Sequence, residues 1–144
     1  MATDRRAEVR WEGSLMEGSG TIVSTTSGKL GEQPVSWPNR AEDSPSATSP
    51  EELIAAAHAA CFSMALSHAL AQAGNAPERL STSATVTFQP GEGITRIALT
   101  VEGRVPGLDA DGFREAAEGA KAGCPVSKAL AGVPEITLDA RLAS

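Results

Sequence analysis

Two thiols, two imidazoles and a carboxylate stand where chemistry is possible. Cys61 lies inside SPEELIAAAHAACFSMALSHALAQAG (residues 49–74), with His58 three positions before it and Glu51 ten before it. Three apart on a helix puts His58 and Cys61 on one face, a spacing that serves a thiol with its base or two ligands of one metal. A free cysteine among Ala and Phe can equally be a small hydrophobe. Cys124 sits in GCPVS, at the expected N-cap of a short helix. There backbone donors and the helix dipole favour a thiolate, so local electrostatics alone make Cys124 the better nucleophile. No CxxC pair occurs, and a zinc site would have to assemble from Cys61, Cys124, His58 and His68, of which Cys124 at least lies on a separate element. No metal is expected, and both imidazoles read more simply as satisfied or surface histidines. No nucleophile elbow frames a serine, and no phosphate-binding glycine loop is present.

These residues need a scaffold, and its punctuation is clear. AEVRWEG, GTIVSTTSG and KLGEQPVSW read as three short strands of a meander. The polar stretch PNRAEDSPSATSPEE reads as a loop; it contains Arg40, with Glu42 and Asp43 beside it. A helix then starts at Pro50 behind the N-cap Ser49, with Glu52 in capping-box position, and runs to about Ala73 before Gly74. STSATVTFQPG and GITRIALTVEGRV read as a hairpin turning at QPGEG. A helix over DADGFREAAEGAKAG, which Gly123 is placed to end, precedes a short helix CPVSKALAG and a closing strand EITLDARLA. The order βββ, α, ββ, αα, β is that of an α+β domain without βαβ alternation, and 144 residues suit a single domain spanning 1–144.

The long helix is apolar on nearly every side and must be covered all round. A second copy packed about a two-fold axis would do this, as would the chain's own helices and loops. Glu51, His58, Cys61, His68 and Gln72 share one stripe, yet ten positions separate Glu51 from Cys61, about 15 Å of axis. In an antiparallel pair of such helices, Glu51 of one subunit would approach Cys61 of the other. Arg40 near a thiol would lower its pKa, and Glu51 could hold that guanidinium in a bidentate pair.

Composition narrows the partners. Twelve basic against eighteen acidic residues give a net charge of -6, with three percent aromatics, so a nucleic-acid partner is disfavoured. MATDRRAEVRWEG has no apolar run after its charges, so a cytoplasmic location is expected. His58, Ser63, Ser67 and His68 interrupt the apolar helix, which argues against a membrane span. Two cysteines in a reducing compartment do not make a lasting structural bridge.

At these residues the sequence resembles the OsmC/Ohr family, the osmotically induced and organic hydroperoxide resistance proteins. TSPEELIAAAHAACFSMAL, AKAGCPVSKAL, WEG with the Gly-rich strands behind it, and EITLDARL carry the resemblance over essentially the whole chain. It implies an intertwined homodimer in which two long central helices are enclosed by antiparallel-rich sheets, with a thiol peroxidase site at the subunit interface. It implies Cys61 as the peroxidatic cysteine, Cys124 as the resolving one, and Glu51 as the family's glutamate. No arginine lies in GSGTIVSTTSG, where the organic hydroperoxide branch has one, whereas Arg40 in WPNRAED matches the osmotically induced branch. The implied substrate is a hydroperoxide and the implied reductant an external dithiol such as a lipoylated protein, with no bound cofactor. A redox sensor or small-molecule-binding protein using the same thiols is the alternative.

Overall fold

A computed structural model of the chain describes residues 2–42 and 46–143. The chain divides into two compact units, residues 1–50 and 51–144. In the first, β1 (Ala7–Glu12), β2 (Ser19–Thr25) and β3 (Gln33–Val35) form an antiparallel meander in the order β1-β2-β3. The expected third strand, 29–37, shrinks to three residues. Glu32 has a positive φ of 62° before it, and Ser36 already caps a helix after it. Pro34, which has no N–H to donate, is tolerated because β3 is an edge strand.

The expected loop is interrupted by α1 (Trp37–Ala41). Ser36 accepts from the Asn39 amide and Pro38 stands in its first turn, the start signals of a helix hidden by its brevity. Arg40 therefore lies in the last turn of a helix, where its charge complements the dipole, and not in a loop. Asp43, expected beside it, lies outside the described residues.

The second unit is built on α2 (Pro50–Gln72), which starts and ends where its sequence signals place it. Gly74, at φ 87°, allows the closing turn in which the Asn75 amide donates to Leu70 O and the Gly74 amide to Ala71 O. This is the paired arrangement that satisfies the last carbonyls of a helix. β4 (Arg79–Gln89) and β5 (Gly93–Arg104) form the expected hairpin through residues 90–92. α3 (Ala110–Gly123) begins at Asp109, whose side chain accepts from the Gly112 amide. Gly123 does not end it by a left-handed turn. Cys124, in extended geometry (φ -61°, ψ 124°), caps the end of α3 and the start of α4 (Pro125–Ala129) at once.

β6 (Glu135–Leu142) pairs parallel to β5, from Arg96↔Glu135 to Gly103↔Leu142. Here the expectation of a chain without βαβ alternation is corrected: α3 and α4 together form the crossover that two adjacent parallel strands require. One face of α2, Phe62, Leu66 and Leu70 at intervals of four, packs with Ile97, Leu99 and Val101 at alternate positions of β5 and with Phe113, Ala117 and Ala120 of α3. Each large side chain so buried contributes about 1.5–3 kcal/mol. Only five of the 23 residues of α2 are buried, and Met64 on the uncovered side is 73% exposed. By length and composition alone α2 could cross a membrane.

Candidate functional site

The structure brings the two cysteines together. Cys61 is on the fourth turn of α2 and Cys124 at the junction of α3 and α4, and their Sγ atoms are 3.0 Å apart as free thiols. A disulfide needs about 2.05 Å, so bond formation asks for roughly 1 Å of approach. Cys61 is half-buried, whereas Cys124 is wholly enclosed in the core.

Beside this sulfur pair is a second contact of the same design. His58, one turn before Cys61, has its Nε2 2.7 Å from the hydroxyl of Ser127, three residues after Cys124. Two i,i+3 pairs, one on each helix, thus face each other, sulfur to sulfur and imidazole to hydroxyl. Both His58 and Ser127 are buried. Burial lowers the pKa of His58, so the imidazole is neutral at neutral pH. Its Nδ1 is buried with no hydrogen-bond partner among the described residues.

The two thiols are electrostatically unequal. Burial pushes the Cys61 thiol up, and the adjoining Cys124 thiol adds to this against the opposing Val126 amide. Burial acts in the same sense on Cys124, but the contact with Cys61, the amide and hydroxyl of Ser127 and the Val126 amide overcome it and hold Cys124 below the ordinary thiol range. Within one chain, negative charge is therefore best held on the enclosed sulfur, while the outer sulfur is the more exposed of the two.

Glu51 is buried at the first turn of α2. A separation of ten residues along one straight helix places it about 15 Å from Cys61. Arg40 belongs to the N-terminal unit. Of the four residues singled out in the sequence, the structure juxtaposes the two cysteines. Among the described residues no three His, Cys, Asp or Glu side chains gather as a metal site requires. Ser127 is the residue that sequence reasoning missed. The repeat of one spacing, HxxC on the first helix and CxxS on the second, was the signal available.

Known proteins match this arrangement. The profile of the OsmC-like protein family covers residues 42–139. The peroxiredoxin OsmC of Escherichia coli is 48% identical over 147 residues, covering all of both chains. The organic hydroperoxide resistance protein OhrB of Bacillus subtilis is 30% identical over 71% of this chain and 76% of its own length. The crystal structure of that protein superposes with a TM-score of 0.63 at 25% identity, covering 96% of this chain and 98% of the other. The family match spans both cysteines, and the chain belongs to the OsmC-like protein family.

Proposed function

We propose that the protein is a thiol peroxidase that reduces organic hydroperoxides through a two-cysteine cycle. The observation that carries this is the pair of free sulfurs 3.0 Å apart, the accessible one in front of the enclosed one. Cys61 thiolate attacks the outer peroxide oxygen, the O–O bond breaks, and an alcohol or water leaves as Cys61 becomes a sulfenic acid. Cys124 condenses with it, water departs, and an external dithiol reduces the disulfide. The relatives named peroxiredoxin and organic hydroperoxide resistance protein support the same chemistry. Because Cys124 is the better thiolate but is closed to substrate, access decides the order of events. Arg40, with Glu51 to hold it, supplies the positive charge that lowers the Cys61 pKa. A pair of α2 helices running antiparallel across a homodimer would carry the partner subunit's Glu51 toward Cys61 and cover the open side of α2. That cover replaces a membrane, and a cytoplasmic setting keeps both thiols reduced between turnovers.

The raised Cys61 thiol favours one other reading, a redox switch oxidised once and read by a partner. Wild type, Cys61→Ser and Cys124→Ser separate the two when given cumene hydroperoxide with dihydrolipoamide. We expect continuous turnover in wild type, a loss on the order of a thousandfold in Cys61→Ser, and trappable sulfenic acid in Cys124→Ser. Consumption of a single equivalent by wild type would leave the switch. Sulfenic acid trapped only in Cys61→Ser would reverse the two roles.

A further inference from the structure

His58 and Ser127 have no part in the two-cysteine cycle as written, yet they occupy the core beside it. A buried imidazole with one unpaired nitrogen is a poor choice for stability, since an apolar side chain of similar volume would fill the space without an unsatisfied polar atom. Its one hydrogen bond among the described residues, 2.7 Å to Ser127, is therefore the reason to look for a role.

The ring has two neutral forms. If Nδ1 carried the proton, Nε2 would be an acceptor, Ser127 would have to donate to it, and a buried N–H would be left unpaired. If Nε2 carries it, His58 donates to the Ser127 oxygen and only a lone pair on Nδ1 is left without a partner, the less costly omission. The second form leaves the single hydroxyl proton of Ser127 free to point at Cys124. Ser127 stands three residues after Cys124, at the N3 position of the helix that Cys124 caps, and its hydroxyl is among the groups that hold the Cys124 thiol down.

We propose that His58, donating from Nε2 to Ser127, turns the Ser127 hydroxyl onto the Cys124 sulfur, and that this donor chain readies Cys124 to attack the sulfenic acid on Cys61. His58 acts only through Ser127 and is a positioning residue. Charge on the acceptor strengthens each bond of such a chain. In the step it serves, the Cys124 thiolate lone pair forms the S–S bond while the S–O bond of Cys61 breaks. Hydroxide leaves with that bonding pair and takes a proton from solvent at the half-exposed Cys61, giving water. The Cys61 sulfur is reduced and the Cys124 sulfur oxidised by the same amount.

This inference rests on the two-cysteine reading, and one experiment separates their failures. One equivalent of cumene hydroperoxide is mixed with the reduced protein, and sulfenic acid and disulfide are followed in time. Wild type should form both in sequence; absence of the disulfide in wild type sinks the two-cysteine reading and this inference with it. Ser127→Ala and His58→Leu should slow disulfide formation at least about tenfold, the size of one lost hydrogen bond to a charged sulfur, and leave oxidation of Cys61 within about twofold. His58→Gln, which keeps a donor, should recover the rate, and the double variant should be no slower than Ser127→Ala alone. In a Cys61→Ser background the thiolate absorbance of Cys124 at neutral pH should fall with either single change. Disulfide formation at the wild-type rate, or both steps slowed equally, overturns the inference while the cycle stands. Should the variants not fold, the nitrogen-15 ring shifts of His58 in wild type decide: a proton on Nε2 is expected, and a proton on Nδ1 refutes the proposal.

Discussion

Each of the two sheets carries a glycine beneath an aromatic ring, and the two pairs differ in how tightly they are held. In the N-terminal unit Trp11 lies across Gly20, its cross-strand partner, where an added Cβ would come within 2.7 Å of the indole and 2.8 Å of Val35. In the C-terminal unit Phe113 of α3 lies on Gly103 of β5, where an added Cβ would meet the ring at 2.5 Å. Trp11 remains 40% exposed, and all of β1 is exposed with it; Phe113 is fully enclosed. The C-terminal unit closes its core from its own helices and strands. The N-terminal meander leaves Val9, Trp11, Leu15 and Met16 facing outward, as the open face of α2 leaves Met64. Apolar surface of this kind marks a place where a partner sits, so the core between α2, α3 and β5 is finished by its own chain, while the meander and the open face of α2 await the second copy proposed above.

The strongest way to break this contrast is Met64→Glu. If a second copy covers α2, a carboxylate there must be buried or the dimer must open, and sedimentation should show association weakened by at least about a hundredfold, close to 3 kcal/mol. An unchanged assembly would mean that this side of α2 faces water and the contrast has another cause. Next in size is Gly103→Ala, which should cost about 1–3 kcal/mol in urea unfolding because the Phe113 ring has no room to retreat. Gly20→Ala should cost less, under about 1 kcal/mol, because the half-exposed indole can swing away. Equal losses at the two glycines would show that the N-terminal sheet is as firmly covered as the other.

The smallest effect is on pH dependence, at the imidazole end of the site. Burial holds the His58 pKa below the ordinary imidazole value of 6.5. In the interval below 6.5 the unfolded chain therefore binds the proton that the folded chain refuses, so stability rises with pH there. The contribution is complete above 6.5 and is lost as pH falls through the folded value. Denaturant midpoints measured from pH 7 to 5 should decline, and His58→Gln should decline less steeply. Identical slopes would show that His58 is not enclosed as described.

Much of this architecture was legible because it is written in local signals. Ser49 and Pro50 open α2, Gly74 closes it, and QPGEG turns the hairpin, each through its own backbone chemistry. What could not be read depends on distant partners. The parallel pairing of β6 with β5 is set by how α3 and α4 cross over the sheet, which no local pattern states. α1 escaped because five residues are too few to show a helical period. The cysteines drew notice through their type and position, and then through family motifs, but the contact between His58 and Ser127 joins residues 69 positions apart, and a serine after CPV looks like any helix-start residue. Gly123 marked the last residue of α3 correctly, but the cap that follows is supplied by Cys124 and not by a left-handed glycine.

Cys124 serves two helices at once, as the C-cap of one and the N-cap of the next. Oxidation therefore draws on the joint between them by about an ångström, less than a single rotamer change, and neither helix has to unwind to let the bond close. Oxidised and reduced molecules should be almost superimposable, which costs little time per round and gives a watching protein almost no change of outline to detect. Such economy of movement suits a molecule that consumes its substrate over and over more than one that reports having met it.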